Sequence, residues 1–192
     1  RHPKALTAAP VEEVAQKIAG YIRELRPQVV LTFDPIGGYR HPDHIAIHKA
    51  TVRGFELAGD PVFEDGMEPF KPEKLYFHFI PRGLFRFAVR ILPLFGRDPR
   101  RYGRNQDIDL VALVGEEDFQ TDAAINYREV RAKKEEAVAC HSSQLDEGMS
   151  SRGLVYWIMR WYERRDCYMR AYPEPGSNTR ERDLFEGIDV NW

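Results

Sequence analysis

Apolar positions along the chain follow two rhythms. Val11, Val14, Ala15, Ile18, Ile22 and Leu25 recur at spacings of three and four, which predicts an amphipathic helix over 10–25. Pro10 suits its first turn, and Pro27 ends it. Val29-Val30-Leu31-Thr32-Phe33 is apolar and β-branched without alternation, the pattern of a short, fully buried strand. Residues 34–43 are rich in proline and glycine and read as a loop. A second helix is predicted from about 43 to 57, with Asp43 at its N-cap or in its first turn.

Further strands are predicted at 74–80 and 108–114. A helix is predicted over 126–140, with Val130, Ala137 and Val138 among its apolar positions and Ile125 just before it. A last helix is predicted over about 153–170. Helix, strand, loop and helix in that order make half of an α/β winding. No repeat, low-complexity run or linker divides the chain, so residues 1–192 read as one domain. In open α/β sheets ligands gather outside the carboxyl ends of strands. The 34–44 loop leaves such an end.

Composition narrows the class. The chain has 192 residues, 43% hydrophobic and 30% charged, enough for a soluble globular core. A formal charge of −2 gives no overall attraction to nucleic acid or to an anionic membrane. No apolar run reaches bilayer length, so no stable membrane insertion is expected. Cys140 and Cys167 make no disulfide framework and lack zinc-site spacing, so they read as reduced thiols in a cytoplasmic protein.

The chemistry concentrates in Asp34-Pro35-Ile36-Gly37-Gly38-Tyr39-Arg40-His41-Pro42-Asp43-His44. Two imidazoles and two carboxylates fall within eleven residues. Gly37 and Gly38 permit unusual backbone angles and close approach of a ligand. His41 and His44 flank a helix start and can turn toward one point. Asp43, between them, can orient one imidazole. A catalytic or metal site is the leading reading of this loop, and a capped helix with a solvated polar loop is the bland one. His48 follows His44 by one helical turn, but Ile45 stands where a zincin would carry glutamate. His48 therefore reads as a surface or packing histidine.

At this point the residues resemble a known family. Thr32-Phe33-Asp34-Pro35-x-Gly37-Gly38-Tyr39-x-His41-Pro42-Asp43-His44 is similar to the second signature of the PIG-L/LmbE-like de-N-acetylases. Lys134-Glu135-Glu136-Ala137-Val138-Ala139-Cys140-His141-Ser142-Ser143-Gln144 resembles the family's helix ending in His-x-Ser-Gln. The resemblance implies a Rossmann-like, three-layer α/β fold with a mostly parallel sheet. It also implies hydrolysis of an N-acetyl group, usually on a glucosamine, by a metal-activated water. His44 would be a ligand to Zn2+ or another divalent metal. His41 would act as general acid or polarise the acetyl carbonyl, Asp43 would orient His41, and Tyr39 would help stabilise the oxyanion. Arg40 and Asp34 are taken as substrate-binding. Arg40 stands where the family usually has glycine.

The family's first signature, His-Pro-Asp-Asp-Glu, supplies the other zinc ligands and the general base. His2-Pro3-Lys4-Ala5 does not match it. The expectation is a chain that starts after the first strands and carries one ligand of the set. The expected partner is a small N-acetylated sugar or conjugate, not nucleic acid, and a homo-oligomer is compatible with the family. Two alternatives stay open: a non-catalytic sugar-binding or assembly module of the same fold, and a different metallohydrolase completed by His78 or His141. His141 and Gln144 are read as structural, closing a helix beside the loop. The apolar run 84–95, with its spaced arginines, is read first as core or interface packing; a segment touching a membrane or lipid-like substrate and a flap over the active site are the alternatives. The aromatic and basic residues of 153–170 are read as a packed helix.

Overall fold

The computed structural model describes residues 5–103, 106–115, 118–140 and 164–189. After a 3-10 turn at Leu6–Ala8, the elements are α1 (Val11–Leu25), β1 (Val29–Phe33), a kinked single turn α2 (Gly37–Arg40), and α3 (Pro42–Gly59). They continue with β2 (Lys74–Phe79), α4 (Arg82–Ile91), a 3-10 turn at Leu92–Phe95, and α5 (Leu110–Val114). The last three are β3 (Ala123–Asn126), α6 (Arg131–Ala139) and β4 (Arg165–Tyr172). The chain divides into two compact units. One is built from 1–79, 120–124 and 167–192, the other from 80–119 and 125–166.

In the first unit β1 and β2 are parallel neighbours joined through α3, with Phe33 beside His78. That is the crossover unit a parallel pair requires. β2 pairs antiparallel with β4, His78 facing Tyr168, and the strand order is β1-β2-β4-β3. The α/β class and the Rossmann-like winding hold. The sheet, however, is mixed rather than mostly parallel, because β4 runs against β2.

α1 and α3 pack against each other and the sheet through Ala15, Ala19, Ile22, Phe55, Leu57, Ala58, Leu75 and Phe77. Gly54 permits the close crossing: a Cβ there would lie 2.8 Å from the Ala15 carbonyl oxygen and from Ile18 Cγ2. Arg23 of α1 is buried, and its guanidinium donates to the Leu57, Ala58, Asp60 and Phe63 carbonyls and to Asp65. It thereby satisfies carbonyls that the end of α3 leaves open. A second buried polar knot ties the C-terminal segment to β2. Glu181 accepts from Lys74 Nζ and Arg170 Nη1, both at 2.8 Å, and from the Tyr76 hydroxyl. Asp122, fully buried, accepts at its carboxylate from the Arg170 N–H at 2.8 Å.

Several sequence expectations change. The 108–114 strand is instead the short helix α5, started by Asp109, whose side chain accepts from the Ala112 N–H. The 126–140 helix begins only at Arg131, because Ala123–Asn126 is strand. In the 153–170 stretch the described part, from residue 164, leads into a strand, not a helix. Residues 141–163, including His141, Ser142, Ser143, Gln144, Tyr156, Trp157 and Trp161, lie outside the described residues. β1 is not fully buried: Leu31 is 47% exposed, while Thr32 is buried. As predicted, part of the 84–95 run packs inward, through Phe85, Ala88 and Leu92.

Candidate active-site loop

The loop begins where β1 ends. The Asp34 N–H donates to the His78 carbonyl at 3.1 Å, one step beyond the Phe33–His78 pairing of the parallel ladder. Asp34 is 1% exposed. Its carboxylate turns back to accept from the Gly38 N–H at 2.9 Å, and its carbonyl accepts from the Gly37 N–H at 2.9 Å. The chain then bends through Gly37 (φ 68°) and Gly38 (φ 70°). A Cβ on Gly37 would come within 2.8 Å of Ile45 Cγ1 and 3.0 Å of the Ile45 nitrogen, so only glycine fits under the start of α3. Asp34 thus holds the loop's shape from beneath, through its buried carboxylate and its carbonyl.

Arg40 has φ 65° and is exposed. Left-handed backbone costs a side-chain-bearing residue roughly 1–2 kcal/mol, which is the physical reason glycine suits this position. His41 follows as the N-cap of α3, with Pro42 at the first helical position.

Three aromatic rings converge beyond this turn. The His41 and His44 ring centroids are 4.6 Å apart, and Tyr39 meets His44 edge-on at 5.4 Å and His41 at 5.7 Å. His44 stacks on Phe33 at 3.8 Å. The hydrogen bonds fix each imidazole differently. His44 Nδ1 faces the Gly37 carbonyl at 3.3 Å. A carbonyl only accepts, so Nδ1 carries the hydrogen and Nε2 keeps its lone pair. His41 Nδ1 accepts from the Asp43 N–H at 3.3 Å, which leaves Nε2 as the N–H donor. Two adjacent rings are therefore set with opposite tautomers, one exposing a lone pair and the other a proton.

Asp43 acts on His41 through its backbone N–H. Its carboxylate accepts from the Thr7 N–H at 3.2 Å and so fastens the start of α3 to the 3-10 turn. Burial holds the His44 pKa below its usual 6.5, and the neighbouring His41 lowers it further. His44 is accordingly neutral near pH 7, as a metal-ligating imidazole must be. Its free Nε2 and its carbonyl-held Nδ1 fit a metal ligand. No group of three His, Cys, Asp or Glu side chains able to hold a metal occurs among the described residues. His44 by itself fits a single ligand position.

His48 is buried, with Nδ1 at 2.7 Å from the Phe33 carbonyl and its ring edge-on to Phe77. It packs, as its motif context predicted. His78 sits in β2 opposite Tyr168, with ring centroids 5.4 Å apart. Sequence reading missed Phe33 as the platform for His44 and Thr7 as the holder of Asp43. The i, i+4 spacing of His44 and His48 was the available signal, since both contact the last residue of β1.

Residues 3–55 match the GlcNAc-PI de-N-acetylase (PIG-L) family. The chain is 32% identical over 98% of its length to the 1D-myo-inositol 2-acetamido-2-deoxy-alpha-D-glucopyranoside deacetylase of Acidothermus cellulolyticus, spanning 61% of that protein. It is 35% identical over 97% of its length to the enzyme of that name from Streptomyces scabiei, spanning 58% of it. The chain thus spans about three fifths of the length of these curated relatives. The crystal structure of the conserved protein TT1542 from Thermus thermophilus shares the fold, with TM-score 0.52 and 21% identity, over 85% of this chain and 60% of that one. The loop signature, the match over 3–55 and these relatives together make the chain similar to the PIG-L, LmbE-like de-N-acetylases.

Proposed function

We propose that the protein hydrolyses the acetamido group of an N-acetylglucosamine-type substrate at the Tyr39–His44 loop. The observation that carries this reading is the hydrogen bonding of two neighbouring imidazoles, with His44 Nδ1 against the Gly37 carbonyl and His41 Nδ1 accepting from the Asp43 N–H, which leaves a lone pair on one outer nitrogen and a proton on the other. Amide hydrolysis needs both a lone-pair donor to hold an electrophilic metal and a proton donor for a poor leaving group. The family match and the relatives' names, which specify an acetamido-glucoside deacetylase, support the substrate class.

In this reading His44 Nε2 is one ligand to Zn2+ or a similar divalent ion. When bound, such an ion supplies a water acidified to a pKa of about 7 and polarises the carbonyl. His41 Nε2–H delivers a proton to the departing nitrogen or hydrogen-bonds the carbonyl oxygen. The Tyr39 hydroxyl donates to the oxyanion. Asp43 positions His41 through its N–H and the helix start through its carboxylate. Arg40, exposed at the rim, faces an anionic substituent of the substrate. Asp34 serves the substrate only through the loop it holds.

The test is release of free amine from an N-acetylglucosaminyl-inositol and from simple N-acetylglucosaminides by the intact, metal-loaded protein. Turnover that falls about 100-fold or more in His41→Ala is expected. Sugar binding without amine release from any of them would overturn the reading in favour of a binding module.

A further inference from the structure

The 82–101 segment differs in charge from the rest of the chain. It holds six arginines and one acidic residue, Asp98, in a protein of formal charge −2. α4 turns Phe85 and Ala88 inward, and Leu92 is buried where α4 ends. The apolar positions continue past that point: Leu94 is 76% exposed and Phe95 44%. They sit on a built turn, not a trailing loop. Pro93 lies in the 3-10 turn, Gly96 reverses the chain at φ 69°, its N–H donates to the Pro93 carbonyl, and the Arg97 N–H donates to the Leu92 carbonyl. Arg90, Arg97, Arg100 and Arg101 are all exposed and lie within six residues of Phe95.

We propose that this tip docks the protein peripherally on an anionic lipid surface. Leu94 and Phe95 enter the interface, and the arginines meet lipid phosphates. An exposed apolar tip flanked along the chain by exposed cations fits a layer that is hydrocarbon inside and negative outside. A second copy of the chain is a poorer occupant, because it would bring two arginine-rich segments together. A nucleic acid would use the arginines but leave leucine and phenylalanine against phosphates. Docking is reversible, since two apolar side chains hold a membrane weakly without added charge. No described helix is long and apolar enough to cross a membrane.

Sedimentation of the intact protein with vesicles tests this. Binding to phosphatidylglycerol-containing vesicles, little binding to pure phosphatidylcholine, and release by raised salt are expected. The double variant Leu94→Ser/Phe95→Ser should bind at least about ten-fold more weakly. Arg100→Gln and Arg101→Gln should each cost about five-fold. These positions are exposed, so unchanged melting temperatures are expected, and turnover of a soluble substrate should be unaffected. Equal binding to neutral and anionic vesicles, or full binding by the serine variant, would overturn the proposal. So would tighter binding to duplex DNA than to the vesicles, or a solution dimer that dissociates in the serine variant.

Discussion

The His44 imidazole lies flat on the Phe33 ring, centroids 3.8 Å apart and planes 5° from parallel. The last residue of a strand thereby sets the plane of a histidine on the following helix, while the Gly37 carbonyl sets its rotation and tautomer. Under the proposed role of His44 as a metal ligand, Phe33 stands behind that ligand, where substitutions typically cost about 10- to 100-fold in metal affinity. Phe33→Leu is expected to weaken metal binding by the intact protein about ten-fold with unchanged stoichiometry. Competition with a chromogenic chelator measures this, and unchanged affinity would mean the stack is incidental.

The backbone of the loop separates two substitutions of opposite sense. Gly37→Ala places a methyl 2.8 Å from Ile45 at positive φ, and should cost about 3 kcal/mol or more. Arg40→Gly removes a side chain from a left-handed residue, and should leave stability within about 1 kcal/mol of the parent. Urea denaturation of both variants checks the contrast.

How much of this was legible beforehand follows from the range of each interaction. The α1 and α3 patterns stood out because their periodicity runs over several turns, and β1 because its apolar run is compact. The 108–114 run was too short for periodicity to separate strand from helix, and the Asp109 side-chain cap decided it. β4 was hidden because Arg165–Tyr172 mixes charged and aromatic residues, and its strand state comes from pairing with β2, far away in sequence. The loop's chemistry was readable from residue types alone. The distinct tautomers of His41 and His44 were not, since they depend on which backbone group each ring meets.

Glu181 could not have been picked out from its neighbours, because Lys74 and Tyr76 lie more than a hundred residues away. Burial alone would raise its pKa. The bonds from Lys74 and Tyr76 outweigh that and hold the pKa below its ordinary 4.5. Its contribution to stability is therefore present above pH 4.5 and is lost as pH falls through the lower folded value. Glu181→Ala strands a buried lysine and should cost about 3–5 kcal/mol. Glu181→Gln, which keeps the acceptor oxygen, should cost less. Chemical denaturation at neutral pH ranks the two.

His48 titrates for the opposite reason. Burial favours its neutral form and lowers its pKa below 6.5, against the pull of the Phe33 carbonyl. In the unfolded chain the ring takes its proton near the ordinary value, so folding loses stability as pH drops below 6.5. His48→Asn should flatten that dependence over the same range. Denaturation midpoints of parent and variant across the range show it.

The assignment of roles within the loop rests most directly on metal content paired with turnover in two variants of the intact protein. His44→Ala should lose most of its bound metal in elemental analysis. His41→Ala should keep its metal while turnover falls about 100-fold or more. Metal retained by His44→Ala and lost from His41→Ala would contradict the tautomer-based assignment.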